Sequence, residues 1–229
     1  YIVMELMKHP LSEIIERVTL DHKTLSFFIY QILCGVNHLH RHGIIHRDLE
    51  PSNIAVNEIS EVKVLDFGLA RLVDSTAPER MSPYVCTRFY RAPELVLGLP
   101  YSEKVDVWSI GCIFAEMITG KVLFTGRDRI HQWNKIVEIL GTPTDSFISH
   151  LTPEVEKNVR AMPPRDPMPL DEIIPDHLFH GKDEHVHWTA FNARRLISKM
   201  LQIDPNDRCS IAEALRDPYV MNWLDEKEV

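Results

Sequence analysis

The chain has 229 residues, of which 45% are hydrophobic and 25% are charged. These fractions are ordinary for a globular domain and exclude a disordered, collagen-like or coiled-coil chain. The formal net charge of −8 argues against broad electrostatic binding to nucleic acid and favours basic partners. The most apolar stretch, residues 110–118, contains Glu116 and is too short to span a bilayer, so we expect no membrane partner. Four distant cysteines without a CxxC pair favour a reducing compartment.

The first half of the chain predicts a strand end, a long helix and a hairpin. Residues 1–7 are apolar and β-prone, which is typical of the end of a strand. From about residue 24, apolar residues recur every three or four positions until Gly43, which predicts a long helix with one buried face. Residues 54–56 and 62–65 are short β-prone runs that a turn joins. Because the chain opens on tyrosine, we expect it to be part of a longer chain.

The second half predicts a helical core interrupted by two irregular stretches. Residues 69–91 lack periodicity and contain several arginines, which is typical of a long functional loop. Residues 142–188 are rich in proline and histidine and predict an irregular insert. The predicted helices are residues 105–119, which are apolar on nearly every side, 130–140, 190–201, and a last helix opened by a capping box at 210–213.

Three short motifs in the middle of the chain carry the chemistry. The sequence HRDL at 46–49 is followed by Asn53, the sequence DFG lies at 66–68, and the sequence APE lies at 92–94. Any one triplet can occur by chance, whereas all three in this order and at these spacings are strong evidence for one catalytic segment.

These motifs give the chain a strong family resemblance. The sequence resembles the C-terminal lobe of a eukaryotic protein kinase, and more narrowly a MAP kinase of the c-Jun N-terminal (stress-activated) branch. The segments that carry the resemblance are MELM, LCGVNHLHRHGIIHRDL, VLDFGLAR, SPYVCTRFYRAPE and QWNKIVEILGTP. It implies a mainly α fold, a helical C-terminal lobe with a small β-hairpin at the catalytic cleft, without the N-terminal β-lobe.

The resemblance also implies how the chain is divided. Residues 1–10 correspond to the hinge and the end of an N-lobe strand, and residues 11–229 correspond to the C-terminal lobe. Within the lobe, residues 66–94 correspond to the activation segment. Residues from about 125 to 188 correspond to the insert that is typical of MAP kinases.

The implied activity is ATP- and Mg²⁺-dependent phosphorylation of serine or threonine. In this family Asp48 would orient the substrate hydroxyl, while Asn53 and Asp66 would hold Mg²⁺, a cation that prefers oxygen ligands. Residues implied to bind ATP are Glu5, Met7, Ser52, Ala55 and Leu65. For Ala55 and Leu65, packing in the hairpin core is an alternative that is compatible with ATP binding.

The activation segment implies regulation by phosphorylation and a preference for proline. Ser82 and Tyr84 occupy the place of the family's T-x-Y site, which an upstream dual-specificity MAP kinase kinase phosphorylates. Residues 84–91 would accept the proline that follows the target serine or threonine. The arginines that would pair with the added phosphates are Arg47, Arg71, Arg88 and Arg91.

The acidic tail implies docking of partner proteins. Asp225 and Glu226 match the region that MAP kinases use to bind basic docking peptides of substrates, scaffolds or phosphatases. A short acidic tail is also often only a solvated chain end. The family implies both cytoplasmic and nuclear localisation.

Three more side chains are expected to stabilise the fold and to have no catalytic role. Glu94 and Arg208 are expected to form an internal ion pair, and Asp106 is expected to brace the backbone of the HRD loop. Histidines alternate at 38, 40 and 42, but a metal site needs a third and fourth ligand, so we predict none there.

The chain departs from the family in ways that leave two functions open. Glu50 stands where the family has a lysine that contacts the transferring phosphate, and Pro10 lacks a donor where polar residues usually reach the ribose. The glycine-rich loop and the V-A-I-K lysine are not among the 229 residues. One hypothesis is therefore a proline-directed kinase. The alternative is a catalytically impaired or truncated module that docks MAP kinase partners.

Overall fold

A computed structural model of the chain describes residues 5–72, 88–181 and 185–224, which are mostly helical with two small antiparallel sheets. This confirms the predicted fold class. The helices in these ranges are α1 (Leu11–Arg17), α2 (His22–Arg41), α3 (Pro93–Leu97), α4 (Lys104–Thr119), α5 (Arg129–Leu140), α6 (Asp145–Ile148), α7 (Pro153–Arg160), α8 (Leu170–Ile173), α9 (Ala190–Met200) and α10 (Ile211–Leu215). Of these described helices, none combines the length and the apolarity needed to cross a bilayer.

The sheets lie beside the loop that carries the HRDL motif. Strand β1 (His9–Pro10) pairs with β3 (Ile54–Val56), which pairs with β4 (Val62–Val64) to complete a three-stranded sheet. Strand β2 (Ile44–Ile45) pairs with β5 (Arg71–Leu72). The predicted hairpin is thus present, and its second strand is one residue shorter than expected. Of the expected strand end at residues 1–7, residues 5–7 lie outside any strand, and residues 1–4 lie outside the described part of the chain.

Helix α2 begins two residues before the expected start at about residue 24 and ends just before Gly43, as expected. The Asp21 carboxylate accepts a hydrogen bond from the backbone N–H of Thr24 at 2.8 Å, which satisfies one of the donors that a helix start leaves open. The apolar face, which includes Phe28 and Ile32, is buried. Beyond the last turn, Gly43 has a φ of 69°, a left-handed conformation that glycine adopts without strain.

Helix α4 is the centre of the core. It is buried on nearly every side, as its uniformly apolar sequence predicts, and it packs against α2 and α9. The approach to α9 is very close: a Cβ atom on Gly111 would lie 2.9 Å from Met200 Cβ and 2.9 Å from Leu201 Cδ2. A glycine at this crossing therefore lets the two helices approach without a gap.

Residues 142–188 are more regular than the sequence suggests. This stretch contains α6, α7, α8 and a 3₁₀ turn at Asp176–Leu178. Each piece has one or two turns, which is too short for a hydrophobic period to be visible in the sequence. The starts carry local signals instead, because Pro153 opens α7 and the Thr144 side chain caps α6.

A buried ion pair joins the APE motif to the C-terminal part of the fold. Arg208 donates from Nη1 to Glu94 Oε1 at 2.8 Å and from Nη2 to Glu94 Oε2 at 3.0 Å, and both residues are buried. The guanidinium also lies over the Trp108 ring, 5.2 Å from its centroid. The expected internal pair is therefore present, and its bidentate geometry is the strongest form of such a contact.

Candidate active site

The HRD loop is held by one buried carboxylate from helix α4. Asp106 accepts the backbone N–H of His46 on Oδ2 and that of Arg47 on Oδ1, both at 2.9 Å. The same Oδ2 accepts Nε2 of His40 at 2.8 Å. Arg47 has a φ of 68°, which is a strained conformation for a residue other than glycine. The two hydrogen bonds from backbone N–H groups to Asp106 therefore hold a backbone that would otherwise relax. The predicted bracing role of Asp106 agrees with this geometry.

The imidazole of His46 connects the loop to the end of the hairpin. Its Nε2 donates to the carbonyl of Leu65 at 3.0 Å, and its Nδ1 accepts the backbone N–H of Asp48 at 3.3 Å. Because one ring nitrogen donates and the other accepts, a neutral His46 satisfies both contacts. The ring is buried and meets Phe67 of the DFG motif edge to face, with centroids 5.2 Å apart.

Asp48 and Asn53 are in direct contact. Asn53 lies at the end of a 3₁₀ turn, Pro51–Asn53, and its Nδ2 donates to the Asp48 carbonyl at 2.9 Å and to Asp48 Oδ2 at 3.3 Å. The amide nitrogen is thus engaged by Asp48, which leaves the amide oxygen as the atom suited to a cation. Both side chains are half-buried.

Asp66 is placed beside this pair by the backbone. The N–H of Leu65 donates to the carbonyl of Asn53 at 2.8 Å. The backbone of the next residue, Asp66, therefore lies close to Asn53. Asp66 has a φ of 59°, and its Oδ1 accepts the N–H of Gly68 at 3.0 Å. An exposed carboxylate and a neighbouring amide oxygen form a donor set that suits Mg²⁺, so these residues fit the cation that the family implies.

The predicted ATP-binding residues lie on or near the three-stranded sheet. Ala55 is buried on β3, with Pro10 opposite it on one side, and Leu65 follows β4 and is half-buried. Met7 is half-buried just before β1. Glu5 is exposed and lies 3.6 Å from Nζ of Lys63. Their roles toward a nucleotide stay predictions.

Glu50 accepts a hydrogen bond from Ser52 and has no arginine partner among its described contacts. The hydroxyl of Ser52, a predicted ATP-binding residue, donates to Glu50 Oε1. The charge of Glu50 also acts on Tyr90 and Glu116, whose side chains share a 2.7 Å hydrogen bond from the tyrosine hydroxyl. Arg88, which could have neutralised Glu50, donates instead to the Arg127 carbonyl.

Burial, together with the charge of Glu50, raises the pKa values of Glu116 and Tyr90. Burial is the main cause that raises the pKa of Glu116, the hydrogen bond from Tyr90 opposes it, and the charge of Glu50 adds to the rise. Burial, the bond to Glu116 and the charge of Glu50 together raise the pKa of Tyr90 above its usual range. Tyr90 therefore stays protonated and donates throughout the physiological range.

We expect Glu116→Gln to gain stability relative to the parent chain as the pH rises from 4 to 7. Native Glu116 holds its proton more tightly than the unfolded residue, whose pKa is about 4.5, so the parent chain loses stability as the pH rises through the elevated native pKa. Glutamine keeps an acceptor for Tyr90 and does not titrate. Urea unfolding at several pH values, with the exposed Glu154→Gln as control, measures the difference; a difference that does not change with pH contradicts the prediction.

The predicted phosphate-reading arginines have different described contacts, and their role toward phosphate stays a prediction. Arg47 is buried and already engaged, because its Nε donates to the Leu69 carbonyl and its Nη1 donates to the Tyr101 hydroxyl, both at 2.7 Å. Arg71 is exposed on β5 and donates to the carbonyl of Ala70. These contacts bind Arg47 to Leu69, which follows the DFG motif, and to Tyr101, which lies in the loop before α4.

The other two arginines belong to the segment before the APE motif. Arg88 opens a 3₁₀ turn, Arg88–Tyr90, and Arg91 follows it half-buried. The remaining predicted site residues lie outside the described part of the chain: Ser82, Tyr84, Asp225 and Glu226. Their roles stay predictions.

Sequence reasoning missed two side chains that support the HRD loop. His40 was considered only as a metal ligand, yet it donates to Asp106 from the last turn of α2. Tyr101 holds Arg47 from the loop before α4. For His40 a sequence signal was available, because the helical period places it on the same side of α2 as buried Val36. For Tyr101 no neighbouring residue indicates the contact with Arg47. In the described ranges no cluster of three metal-binding side chains occurs.

The family comparison agrees with this geometry. The model of the protein kinase domain matches residues 1–220. GLH-binding kinase 1 of Caenorhabditis elegans is 56% identical over 231 residues, which cover all of this chain and 59% of that protein. Stress-activated protein kinase JNK of Drosophila melanogaster is 50% identical over 230 residues, which cover all of this chain and 61% of that protein.

A third relative also matches the whole of this chain and only part of its own length. Stress-activated protein kinase jnk-1 of Caenorhabditis elegans is 52% identical over 231 residues, which cover all of this chain and 49% of that protein. The chain thus spans about half to three fifths of the length of these curated relatives. The chain therefore belongs to the protein kinase family, and its resemblance to the stress-activated MAP kinases of the c-Jun N-terminal type is confirmed.

Proposed function

We propose that this chain carries the catalytic segment of a protein serine/threonine kinase that phosphorylates sites followed by proline. The observation that supports it most is the contact of Asp48 with Asn53, beside Asp66, on a loop that Asp106 holds in a strained conformation. Strain is retained where the surrounding structure compensates it, commonly at catalytic sites. Phosphoryl transfer depends mainly on such positioning and on charge stabilisation.

Each of the three side chains has a distinct role in this proposal. Asp48 accepts the hydrogen bond of the substrate hydroxyl and takes its proton as the oxygen reaches phosphorus. Asn53 holds Asp48 from the side, so that the carboxylate keeps one orientation. The amide oxygen of Asn53 and the carboxylate of Asp66 would hold Mg²⁺, which neutralises charge on the phosphates of bound ATP.

The regulation and partners that we propose follow the family. Phosphorylation at Ser82 and Tyr84 by an upstream dual-specificity kinase would switch the activity on, and the acidic residues Asp225 and Glu226 would attract basic docking peptides. We propose that the protein works in both cytoplasm and nucleus.

The test compares Asp48→Asn with the natural full-length protein, phosphorylated by an upstream kinase, on a Ser-Pro peptide with ATP. Asparagine keeps the size of the side chain but cannot accept the proton, so we expect kcat to fall by about 10²–10⁴-fold. Asp166→Asn, an exposed substitution of the same kind, should leave kcat unchanged. Equal rates for the parent and Asp48→Asn would contradict the kinase proposal.

A second function, a docking module without catalysis, is favoured by one observation. Glu50 places a negative charge on the catalytic loop where the family has a lysine, and its described contacts supply no cation to neutralise it. If the phosphorylated protein binds basic docking peptides but transfers no phosphate, this alternative replaces the first. Binding of a labelled basic peptide, measured in parallel with the kinase assay, separates the two.

A further inference from the structure

A tyrosine far along the chain from the HRD loop holds the arginine of that loop. The Tyr101 hydroxyl accepts Nη1 of Arg47 at 2.7 Å, and the central carbon of the guanidinium lies 5.8 Å from the centroid of the tyrosine ring. Arg47 is buried and Tyr101 is half-buried. A buried guanidinium is costly without partners, so these contacts fix the position of the arginine side chain.

The same guanidinium holds the chain just after the DFG motif. Nε of Arg47 donates to the Leu69 carbonyl at 2.7 Å. Leu69 follows Gly68, whose N–H donates to Asp66 Oδ1 at 3.0 Å. Because a guanidinium is planar and rigid, an acceptor on Nη1 also fixes the direction in which the Nε–H points. Tyr101 therefore acts, through Arg47, on the backbone three residues after Asp66.

The turn that carries Asp66 needs support because its backbone is strained. Asp66 is exposed and has a φ of 59°, a left-handed conformation that persists in a residue other than glycine only where neighbouring contacts hold it. The Ala70 N–H donates to the Phe67 carbonyl at 3.1 Å and closes the turn. The bond from Arg47 to the Leu69 carbonyl attaches this turn to the HRD loop.

We propose that Tyr101 is a positioning residue that keeps Asp66 oriented for its divalent cation. This inference rests on the proposed function, in which Asp66 holds Mg²⁺. Without the hydroxyl, the guanidinium of Arg47 is free to leave the Leu69 carbonyl, and the strained turn at Asp66 relaxes. Groups that orient a metal ligand without touching the metal typically change the affinity for the ion by about 10–100-fold.

The experiment measures binding of a fluorescent, non-hydrolysable ATP analogue to the natural full-length protein, once with Mg²⁺ and once with EDTA. The protein is unphosphorylated, so that no added phosphate competes for Arg47. The Kd in EDTA divided by the Kd with Mg²⁺ gives the contribution of the cation to binding. Tyr101→Phe keeps the ring beside Arg47 and removes only the hydroxyl that accepts its Nη1. We expect this ratio to fall by about tenfold, while the Kd in EDTA changes little.

The matched control is Tyr219→Phe, which removes another bonded tyrosine hydroxyl. That hydroxyl lies 3.0 Å from Nδ1 of His22, and both residues are buried. His22 opens α2, whose 20 residues separate it from the HRD loop by about 30 Å. The control should lose stability and keep the parent's ratio. An unchanged ratio in Tyr101→Phe overturns the proposal, because a merely structural role lowers the melting temperature without altering the contribution of the cation.

The route through Arg47 is tested by a second substitution. Arg47→Met removes the bond to the Leu69 carbonyl, so adding Tyr101→Phe to that variant should not lower the ratio further. An additional loss would mean that Tyr101 acts on the cation site without Arg47, and it would overturn the proposal.

A measurement on the unmodified protein avoids any question of folding. Coupling between two sites is reciprocal, so a cation that depends on the bond from Arg47 must also strengthen that bond. In nuclear magnetic resonance, the ATP analogue with Mg²⁺ should slow solvent exchange of the Arg47 Nε–H, which donates to the Leu69 carbonyl, relative to the analogue in EDTA. Equal exchange rates overturn the proposal.

Failure of this inference is distinguishable from failure of the proposed function. A protein that phosphorylates the Ser-Pro peptide, but whose Tyr101→Phe variant keeps the parent's ratio, is a kinase for which the inference is wrong. A protein that transfers no phosphate, but whose ratio falls in Tyr101→Phe, supports the inference and contradicts the activity. A ratio near one in the parent overturns the inference, whatever the kinase assay shows.

Discussion

Glu94→Gln is expected to lower the free energy of unfolding by about 3–5 kcal/mol, the cost of leaving a buried charge without its partner. Arg208 is buried with its side chain between Glu94 and the carbonyls of Gln202 and Lys104. Neutral glutamine cannot balance the guanidinium charge, and water cannot reach it. Urea unfolding of the chain at neutral pH measures the change.

The double substitution Glu94→Leu with Arg208→Met tests the cause. Removing both charges avoids the isolated buried cation, and the change is expected to recover most of the stability that Glu94→Gln loses. A loss below about 1 kcal/mol for Glu94→Gln contradicts the assignment of a strong buried pair, because only exposed pairs are that weak.

Glu50→Lys is expected to raise kcat/KM by about 10²–10⁴-fold in the phosphorylated full-length protein. Two unit charges 4 Å apart interact by about 4 kcal/mol at an effective dielectric of 20, and each 1.4 kcal/mol in the barrier is about tenfold in rate. Lysine replaces repulsion of the transferring phosphate by attraction. It also removes the bond that Ser52 makes to the glutamate, which frees the hydroxyl.

Two controls belong with this measurement. Glu16→Lys makes the same charge change at an exposed position of α1 and should leave kcat/KM unchanged. Combining Glu50→Lys with Asp48→Asn should abolish the gain if the gain passes through the catalytic aspartate. Equal kcat/KM for the parent and Glu50→Lys would mean that residue 50 does not act on the phosphate.

The long elements were predictable because their signals are local. Helix α2 was expected from about residue 24 to Gly43 and runs from His22 to Arg41, since its buried face repeats at helical spacing and Gly43 follows its last turn. The hairpin of β3 and β4 was predicted to within one residue, because its two β-prone runs and the turn between them are also local signals. The short helices between 142 and 188 were missed, because one or two helical turns are too short to show a hydrophobic period in the sequence.

Short motifs identified the proposed catalytic residues, but no sequence signal identified the side chains that hold them. The sequence identifies Asp48, Asn53 and Asp66 as one set, and the structure places Asp48 in contact with Asn53 and starts Asp66 beside it. His40 lies 66 residues from Asp106 along the chain, and no spacing rule predicts a contact at that distance. The surroundings of Glu50 could not be predicted from the sequence either, because they depend on where α4 places Glu116.

By itself the sequence determined the fold class and the long helices and predicted which residues handle phosphate, because periodicity and short motifs are encoded by neighbours along the chain. Only the tertiary structure decided which buried polar groups hold those residues: Asp106 under the HRD loop, Arg208 against Glu94, and Arg47 against Tyr101. Each of these joins distant segments, and a polar side chain is buried only where the packed fold supplies its partners.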